Sequence, residues 1–164
     1  MARILIAEEN AVIREGLKQI VAANRDMVIA GEASAGQEVM GEISKNQYDV
    51  VILDISILGG NWLDILKDLR SQRPNLPVVI LSAHADEGIA MRAFRAGASG
   101  YLTIGSAPDE LLTALKKVLG GGKYVSASLG EKLASDLEKG ADKLPHELLS
   151  DREYQVMGLL ASGR

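Results

Sequence analysis

Short apolar runs alternate with amphipathic helical patterns five times along the first 120 residues. The runs are too short for helices and are rich in Ile, Leu and Val, which is typical of strands covered on both faces. The five alternations predict an α/β fold, a doubly wound five-stranded parallel sheet with right-handed crossovers. The predicted strands are 4–7, 27–32, 49–54, 78–82 and 101–103, and the helices are 11–23, 35–44, one around 63–69, 87–96 and 108–120.

The pattern changes after the three glycines at 120–122. One more amphipathic helix is predicted at 126–138, followed by a polar stretch and by a capping box formed by Ser150 and Glu153. A last helix then begins, and about fourteen helical residues cannot bury their apolar face alone. We therefore expect a domain at 1–121, a linker with one helix at 122–148, and the first part of a truncated second domain at 149–164.

Composition narrows the class of protein. Apolar residues make up 47% of the chain and aromatic residues 4%, so the core is expected to be aliphatic. The absence of cysteine excludes disulfides, thiolate metal sites and a cysteine nucleophile. No apolar run approaches the roughly 18 residues that a membrane span needs, which favours a cytoplasmic protein with no membrane partner. A net charge of −4 without clustered Lys and Arg opposes DNA binding by this segment.

Polar residues follow the predicted strands where ligands bind in a doubly wound sheet, at the carboxyl ends. The acids Glu8 and Glu9 follow the first strand and Asp54 ends the third. Carboxylates grouped in this way suit Mg²⁺, which also relieves their mutual repulsion. Acids that are simply solvated or that cap helices explain the same spacing. Ser82 and the pair Thr103-Ile104 lie at two further strand ends.

Asp54 ends a strand that is otherwise apolar from Val50 onward. A carboxylate in that position is suited to accept a phosphoryl group, while a role as cap of the next loop is the alternative. Ser82 is placed to donate to a phosphoryl oxygen, although serine after a buried strand is common. A phosphatase with a strand-end aspartate nucleophile needs a second aspartate two residues later, and Ser56 stands there. We therefore do not expect an enzyme.

Taken in order, these segments resemble a known family. ILIAEEN, DVVILDIS, VVILSAH, AFRAGASGYLT and SAPDELLTAL resemble the receiver domain of NarL/FixJ-type two-component response regulators. Residues 149–164, LSDREYQVMGLLASGR, resemble the opening of the LuxR-type helix-turn-helix domain that follows such receivers. The resemblance covers essentially the whole chain, and it implies the flavodoxin-like fold of the chemotaxis protein CheY.

The resemblance also implies roles for the acidic residues. Asp54 matches the aspartate that accepts a phosphoryl group from a sensor histidine kinase. Glu8 and Glu9 match the acidic pair that helps to hold Mg²⁺, and the backbone carbonyl of Ser56 would add a ligand.

Two further positions match the switch of this family. Ser82 matches the hydroxyl that follows the phosphoryl group, and Tyr101 matches the aromatic side chain that turns inward on activation. Phosphorylation would then control homodimerisation, often through helices one and five, and the binding of DNA to regulate transcription. DNA would be bound only through the remainder of the C-terminal domain, beyond Arg164.

Several positions depart from the family. Ile104 stands where the family has the lysine that pairs with the acceptor and its phosphoryl group, and Glu9 is one methylene longer than the usual aspartate. Leu58 and Trp62 replace a proline and a glycine of the loop after the acceptor. These changes predict a receiver impaired in phosphorylation; the alternative is an atypical receiver that acts as a phosphorylation-independent dimerisation or partner-binding module. A substitution introduced into a natural lysine would account for Ile104 equally well.

Overall fold

The structure is a computed structural model that describes residues 1–57, 61–106 and 108–138. Strands and helices alternate in the order predicted from the hydrophobic pattern. The strands are β1 (Ala2–Ala7), β2 (Met27–Ala33), β3 (Val50–Asp54), β4 (Val78–Ser82) and β5 (Gly100–Thr103). The helices are α1 (Ala11–Ala22), α2 (Gly36–Lys45), α3 (Trp62–Gln72), α4 (Glu87–Arg95), α5 (Pro108–Leu119) and α6 (Ala127–Glu138).

The five strands form one parallel sheet in the order β2-β1-β3-β4-β5. The predicted fold class is therefore confirmed. The order reverses between β1 and β3, and in doubly wound sheets this is the point beyond which ligands bind. Every residue of β3 and β4 is buried, because helices cover both faces of the central strands.

One side of the sheet is covered by α1 and α5. Buried aliphatic residues from these two helices pack with alternate residues of the strands, as the period of two in a strand requires. The layer extends to the carboxyl end of β5, where Ile104 packs against it while still partly exposed. The buried members that matter below are Ile6, Leu17, Leu81, Leu102 and Leu111.

Side-chain caps fix where three helices begin. Asn10, Asn61 and Asp86 each accept a hydrogen bond from a backbone N–H in the first turn of α1, α3 and α4. Helix α4 ends in a Schellman motif: the N–H of Gly97 donates to Phe94 and the N–H of Ala98 donates to Ala93. Gly97 has a φ of +104°, a left-handed conformation that glycine adopts without a steric penalty.

After α5 the chain returns to the free edge of β5. Tyr124 forms a parallel bridge with Gly100, and its carbonyl accepts from the N–H of Tyr101. The first compact unit consequently runs from Met1 to Ser126, past the boundary predicted at 121, and a second unit begins at Ala127 with α6. The segment 149–164, in which the helix-turn-helix start is predicted, lies outside the described residues. None of the helices that the structure describes is long and apolar enough to span a bilayer.

The end of α4 yields a prediction about stability. A Cβ built on Gly97 would lie 2.6 Å from Cδ of Arg70, and the positive φ strains any other residue. Gly97→Ala should therefore lower the free energy of unfolding by about 1–3 kcal/mol, measured by urea denaturation. Gly121, with a φ of +90° and open space around it, is the matched control. Gly121→Ala should cost less, and equal losses would rule out a contribution from the contact with Arg70.

Candidate functional site

The register of the sheet brings Glu8 and Asp54 together. Ala7 of β1 pairs with Leu53 of β3, so the next residue on each strand lies at the same edge of the sheet. Both carboxyl groups belong to residues that are only 1% exposed. This edge lies at the reversal of strand order, where the sequence predicts the site.

Glu8 and Asp54 form a carboxyl pair, because both are buried at the same edge of the sheet and each affects the protonation of the other. Burial, the contact with Asp54 and the nearby charges raise the pKa of Glu8 to about 8, while the N–H of Asn10 donates to Glu8 Oε1 and opposes the shift. Glu8 Oε2 is buried and has no donor in the described part of the chain. A proton on Glu8 satisfies the pair near neutral pH, since two buried carboxylates in contact repel each other.

The carboxylate of Asp54 is held by Ser56. Both the backbone N–H and the hydroxyl of Ser56 donate to Asp54 Oδ1, each at 3.0 Å. Asp54 therefore caps its own turn, as the alternative interpretation of this residue expects. A cap does not require burial, however, and the burial of Asp54 beside a second carboxyl group suits a chemical role equally well.

The three predicted acids are not equivalent in the structure. Glu9 is half-buried, and among the described residues no group of three or more acidic, His or Cys side chains has the arrangement of a metal site. The pair Glu8 and Asp54 nevertheless fits a hard divalent cation, because both groups are oxygen ligands and Glu8 Oε2 lacks a partner. Such a cation would displace the proton that the pair shares.

Ser82 ends β4, the strand next to that of Asp54, and Tyr101 lies within β5, paired with Ile80 of β4. Ser82 is buried, and its Oγ accepts from the N–H of His84 at 3.2 Å. Tyr101 faces inward and is 1% exposed; its hydroxyl donates to the carbonyl of His84 at 2.8 Å and accepts from the N–H of Asp86 at 3.4 Å. These contacts fix the loop between β4 and α4.

Ile104 follows β5 and is fixed by its backbone, because its N–H donates to the carbonyl of Ser82 at 2.7 Å. Its side chain packs on the aliphatic layer beneath α1 and α5. The described ion pairs join Arg14 and Lys18 to acids of α1 and β2, and none of them includes Asp54. The described part of the site therefore offers Asp54 hydroxyl and amide donors but no ion pair.

The sequence predicts that Glu8, Glu9 and Asp54 group at one edge of the sheet, and the structure places Glu8 and Asp54 there as buried neighbours, with Glu9 half-buried. The hydroxyl bond from Ser56 to Asp54 was not predicted, because a serine two residues after an acid has no distinctive pattern. Leu58 lies outside the described residues, and Trp62 is the first residue of α3.

Comparisons with known proteins agree with this geometry. The family model for the response regulator receiver domain matches residues 4–116. Response regulator UvrY of Escherichia coli K12 is 27% identical over all of this chain and 76% of its own length. The DNA-binding transcriptional activator DevR/DosR of Mycobacterium tuberculosis is 30% identical over 99% of this chain and 76% of its own. A crystal structure of a LuxR-family two-component response regulator from Aurantimonas sp. SI85-9A1 superposes with a TM-score of 0.78 at 26% identity, covering 83% of this chain and 97% of the other.

The carboxyl pair predicts a dependence of stability on pH. The pKa of Glu8 is raised from 4.5 to about 8 on folding, so the folded protein binds this proton more tightly than the unfolded chain does. The stabilisation is complete below pH 4.5 and is lost as the pH rises toward 8. The free energy of unfolding should fall by up to about 1.4 kcal/mol per pH unit in this window.

Urea denaturation at a series of pH values tests this prediction, with Glu8→Gln as the comparison. The glutamine is isosteric and does not titrate, so its curve should be flatter between pH 5 and 8. Glu9→Gln is the matched control, because Glu9 is half-buried and adjacent, and it should keep the dependence of the unmodified protein. Parallel curves for Glu8→Gln and the unmodified protein would show that Glu8 does not hold the proton.

Proposed function

The chain belongs to the response regulator receiver family, as a NarL/FixJ-type regulator, and from that premise we propose that it accepts a phosphoryl group on Asp54 with a response weakened by Ile104. The observation that carries the proposal is the position of Asp54. It is a buried carboxylate at the reversal of strand order, oriented by two hydrogen bonds from Ser56. The output is signalling rather than turnover of a substrate.

In the proposed reaction a carboxylate oxygen of Asp54 attacks the phosphorus of a phosphohistidine on a sensor kinase, and the histidine nitrogen leaves. Ser56 keeps the carboxylate oriented through Oδ1. Ser82 lies one strand away, and its hydroxyl would turn from the N–H of His84 to a phosphoryl oxygen. Preorganised donors of this kind supply much of the stabilisation in phosphoryl transfer.

Magnesium fits the carboxyl pair and would be held by Glu8, Asp54 and the backbone carbonyl of Ser56. The half-buried Glu9 would contribute from the solvent-facing side of the site. When bound, it supplies positive charge against the phosphoryl oxygens. Binding requires Glu8 to release its proton, and the raised pKa opposes this at neutral pH. Metal affinity is therefore expected to rise with pH.

Ile104 limits the response because it stands where the family has a positively charged lysine. The site therefore lacks that charge when the phosphoryl group adds negative charge. An isoleucine side chain has no donor, and here it packs in the aliphatic layer. A hydrogen bond to a charged group contributes about 1.5–3 kcal/mol, which corresponds to about 10- to 100-fold in rate. Magnesium alone would have to offset the charge of the acylphosphate.

The remaining functional assignments follow from the family. We infer a cytoplasmic sensor histidine kinase domain as the phosphoryl donor and self-association through α1 and α5. DNA would be bound only by the helix-turn-helix domain whose start is predicted at 149–164, and DevR/DosR, itself a DNA-binding activator by name, supports a role in transcription.

A second candidate function is supported by Tyr101. Its hydroxyl is held by the backbone of His84 and Asp86, partners whose charge does not depend on Asp54. A receiver already in this state would act as a phosphorylation-independent dimerisation or partner-binding module.

Phosphorylation by acetyl phosphate with Mg²⁺, followed by intact mass, tests the proposal. The unmodified protein should gain one phosphoryl mass slowly, Asp54→Asn should gain none, and Ile104→Lys should react at least about tenfold faster. Gly105→Lys places the same charge one residue further on, where a side chain meets nothing within 4 Å, and should not accelerate the reaction.

Equal rates for Ile104→Lys and the unmodified protein would refute the role of Ile104. No phosphorylation of either would refute Asp54 as acceptor.

Sedimentation with and without beryllofluoride and Mg²⁺ separates the two candidate functions. Under the main proposal Ile104→Lys should change its self-association more than the unmodified protein does. A phosphorylation-independent module would have the same association constant in both conditions and in Asp54→Asn.

A further inference from the structure

Arg14 of α1 holds the backbone of the loop that carries two of the acids predicted to bind a metal. This loop between β1 and α1, here called the acid loop, consists of Glu8, Glu9 and Asn10. Arg14 Nη1 donates to the carbonyl of Glu8 at 2.8 Å and to the carbonyl of Glu9 at 3.4 Å. One guanidinium group is therefore joined to the main chain of both acids.

A second contact orients this guanidinium group. Arg14 Nε lies 3.1 Å from Glu32 Oε1 of β2, and the two side chains are 19% and 39% exposed. The residue after Glu32 is Ala33, whose carbonyl accepts from the N–H of Glu8 at 2.9 Å. Arg14 thus connects the acid loop to the end of β2 through two different nitrogen atoms. A planar guanidinium group can do this, whereas a lysine ammonium group is a single point of charge.

The position of Arg14 does not favour α1 itself. It is the fourth residue of the helix, close to the end where the free N–H groups carry partial positive charge and a cation is disfavoured. An ion pair with a partner as exposed as Glu32 also adds little to stability. The contacts of Arg14 are therefore better explained by what they hold in place than by the stability of the helix.

These contacts restrict where the side chain of Glu8 can point. Its N–H is held by Ala33 and its carbonyl by Arg14. Its Oε1 accepts from the N–H of Asn10 at 3.0 Å, while its Oε2 is buried without a donor in the described part of the chain. The backbone is thus fixed on both sides of a carboxyl group that has one oxygen open to a cation.

From this geometry we propose that Arg14 is a positioning residue of the cation site, which holds the acid loop where Glu8 and Glu9 can bind a divalent cation. It acts through the backbone of the two acids and is not a ligand, since a guanidinium group has no acceptor to offer. The inference rests on the proposed function, in which Mg²⁺ binds at the carboxyl pair. Groups that orient metal ligands typically contribute about 10- to 100-fold to metal affinity.

Lys18 provides a matched control. It lies one turn further along α1, carries the same charge and pairs with the same Glu32 at 3.3 Å. Its described hydrogen bonds go to Glu15 and Glu32 and not to the acid loop. Arg14→Met and Lys18→Met each remove one positive charge and leave a good helix former. A difference between them therefore reports the contacts with the loop carbonyls and not the charge.

The experiment titrates the full chain with MgCl₂ at pH 8 and follows backbone amide NMR shifts. Arg14→Met should raise the dissociation constant of Mg²⁺ about tenfold or more, whereas Lys18→Met should leave it nearly unchanged. Before any metal is added, the amide proton of Asn10 should move upfield in Arg14→Met, because its bond to Glu8 is weakened. Arg14→Lys should recover only part of the affinity, since its ammonium group cannot keep both sets of contacts.

Three results would overturn the proposal. Equal dissociation constants for Arg14→Met and Lys18→Met, with Mg²⁺ bound by the unmodified protein, would refute the role of Arg14 and leave the proposed function intact. Full recovery in Arg14→Lys would show that charge alone is needed. The absence of saturable Mg²⁺ binding by the unmodified protein would refute the cation site of the proposed function, and the role of Arg14 with it.

Discussion

The burial of two carboxyl groups side by side governs the chemistry at this end of the sheet. Glu8 directly follows β1 and Asp54 ends the neighbouring strand β3, and both residues are only 1% exposed. Ionising both in contact would cost several kcal/mol, and the fold avoids this cost by keeping a proton on Glu8. A ligand that binds to this pair must either replace the proton on Glu8 with another positive charge or bind while Glu8 stays protonated.

The same constraint applies at Ile104, which follows β5 at the same end of the sheet. Its side chain carries no charge and packs on the aliphatic layer under α1 and α5. None of the described ion pairs includes Asp54, so compensation of the carboxyl pair depends on a proton or on a cation from solution.

Most of the fold could be predicted from the sequence, because the central strands are short aliphatic runs and their helices have clear apolar faces. Strand β4 was predicted with its observed bounds. The orientation of Tyr101 could not be predicted, because an edge strand allows its side chain to face either way. The bridge from Tyr124 to Gly100 also has no local signal, since a single residue pairing has no periodicity. The hydroxyl bond from Ser56 to Asp54 likewise has no pattern in the sequence that would predict it.

Tyr101 is held independently of the carboxyl pair. Its hydroxyl is bound by the backbone of His84 and Asp86, which are neutral partners that do not depend on the charge at Asp54. A ligand shifts a conformational equilibrium only by the difference between its affinities for the two states. Ser82 and Tyr101 both bond to the backbone of His84, so a group that bound at Asp54 and drew the hydroxyl of Ser82 away would reach Tyr101 through the loop between β4 and α4.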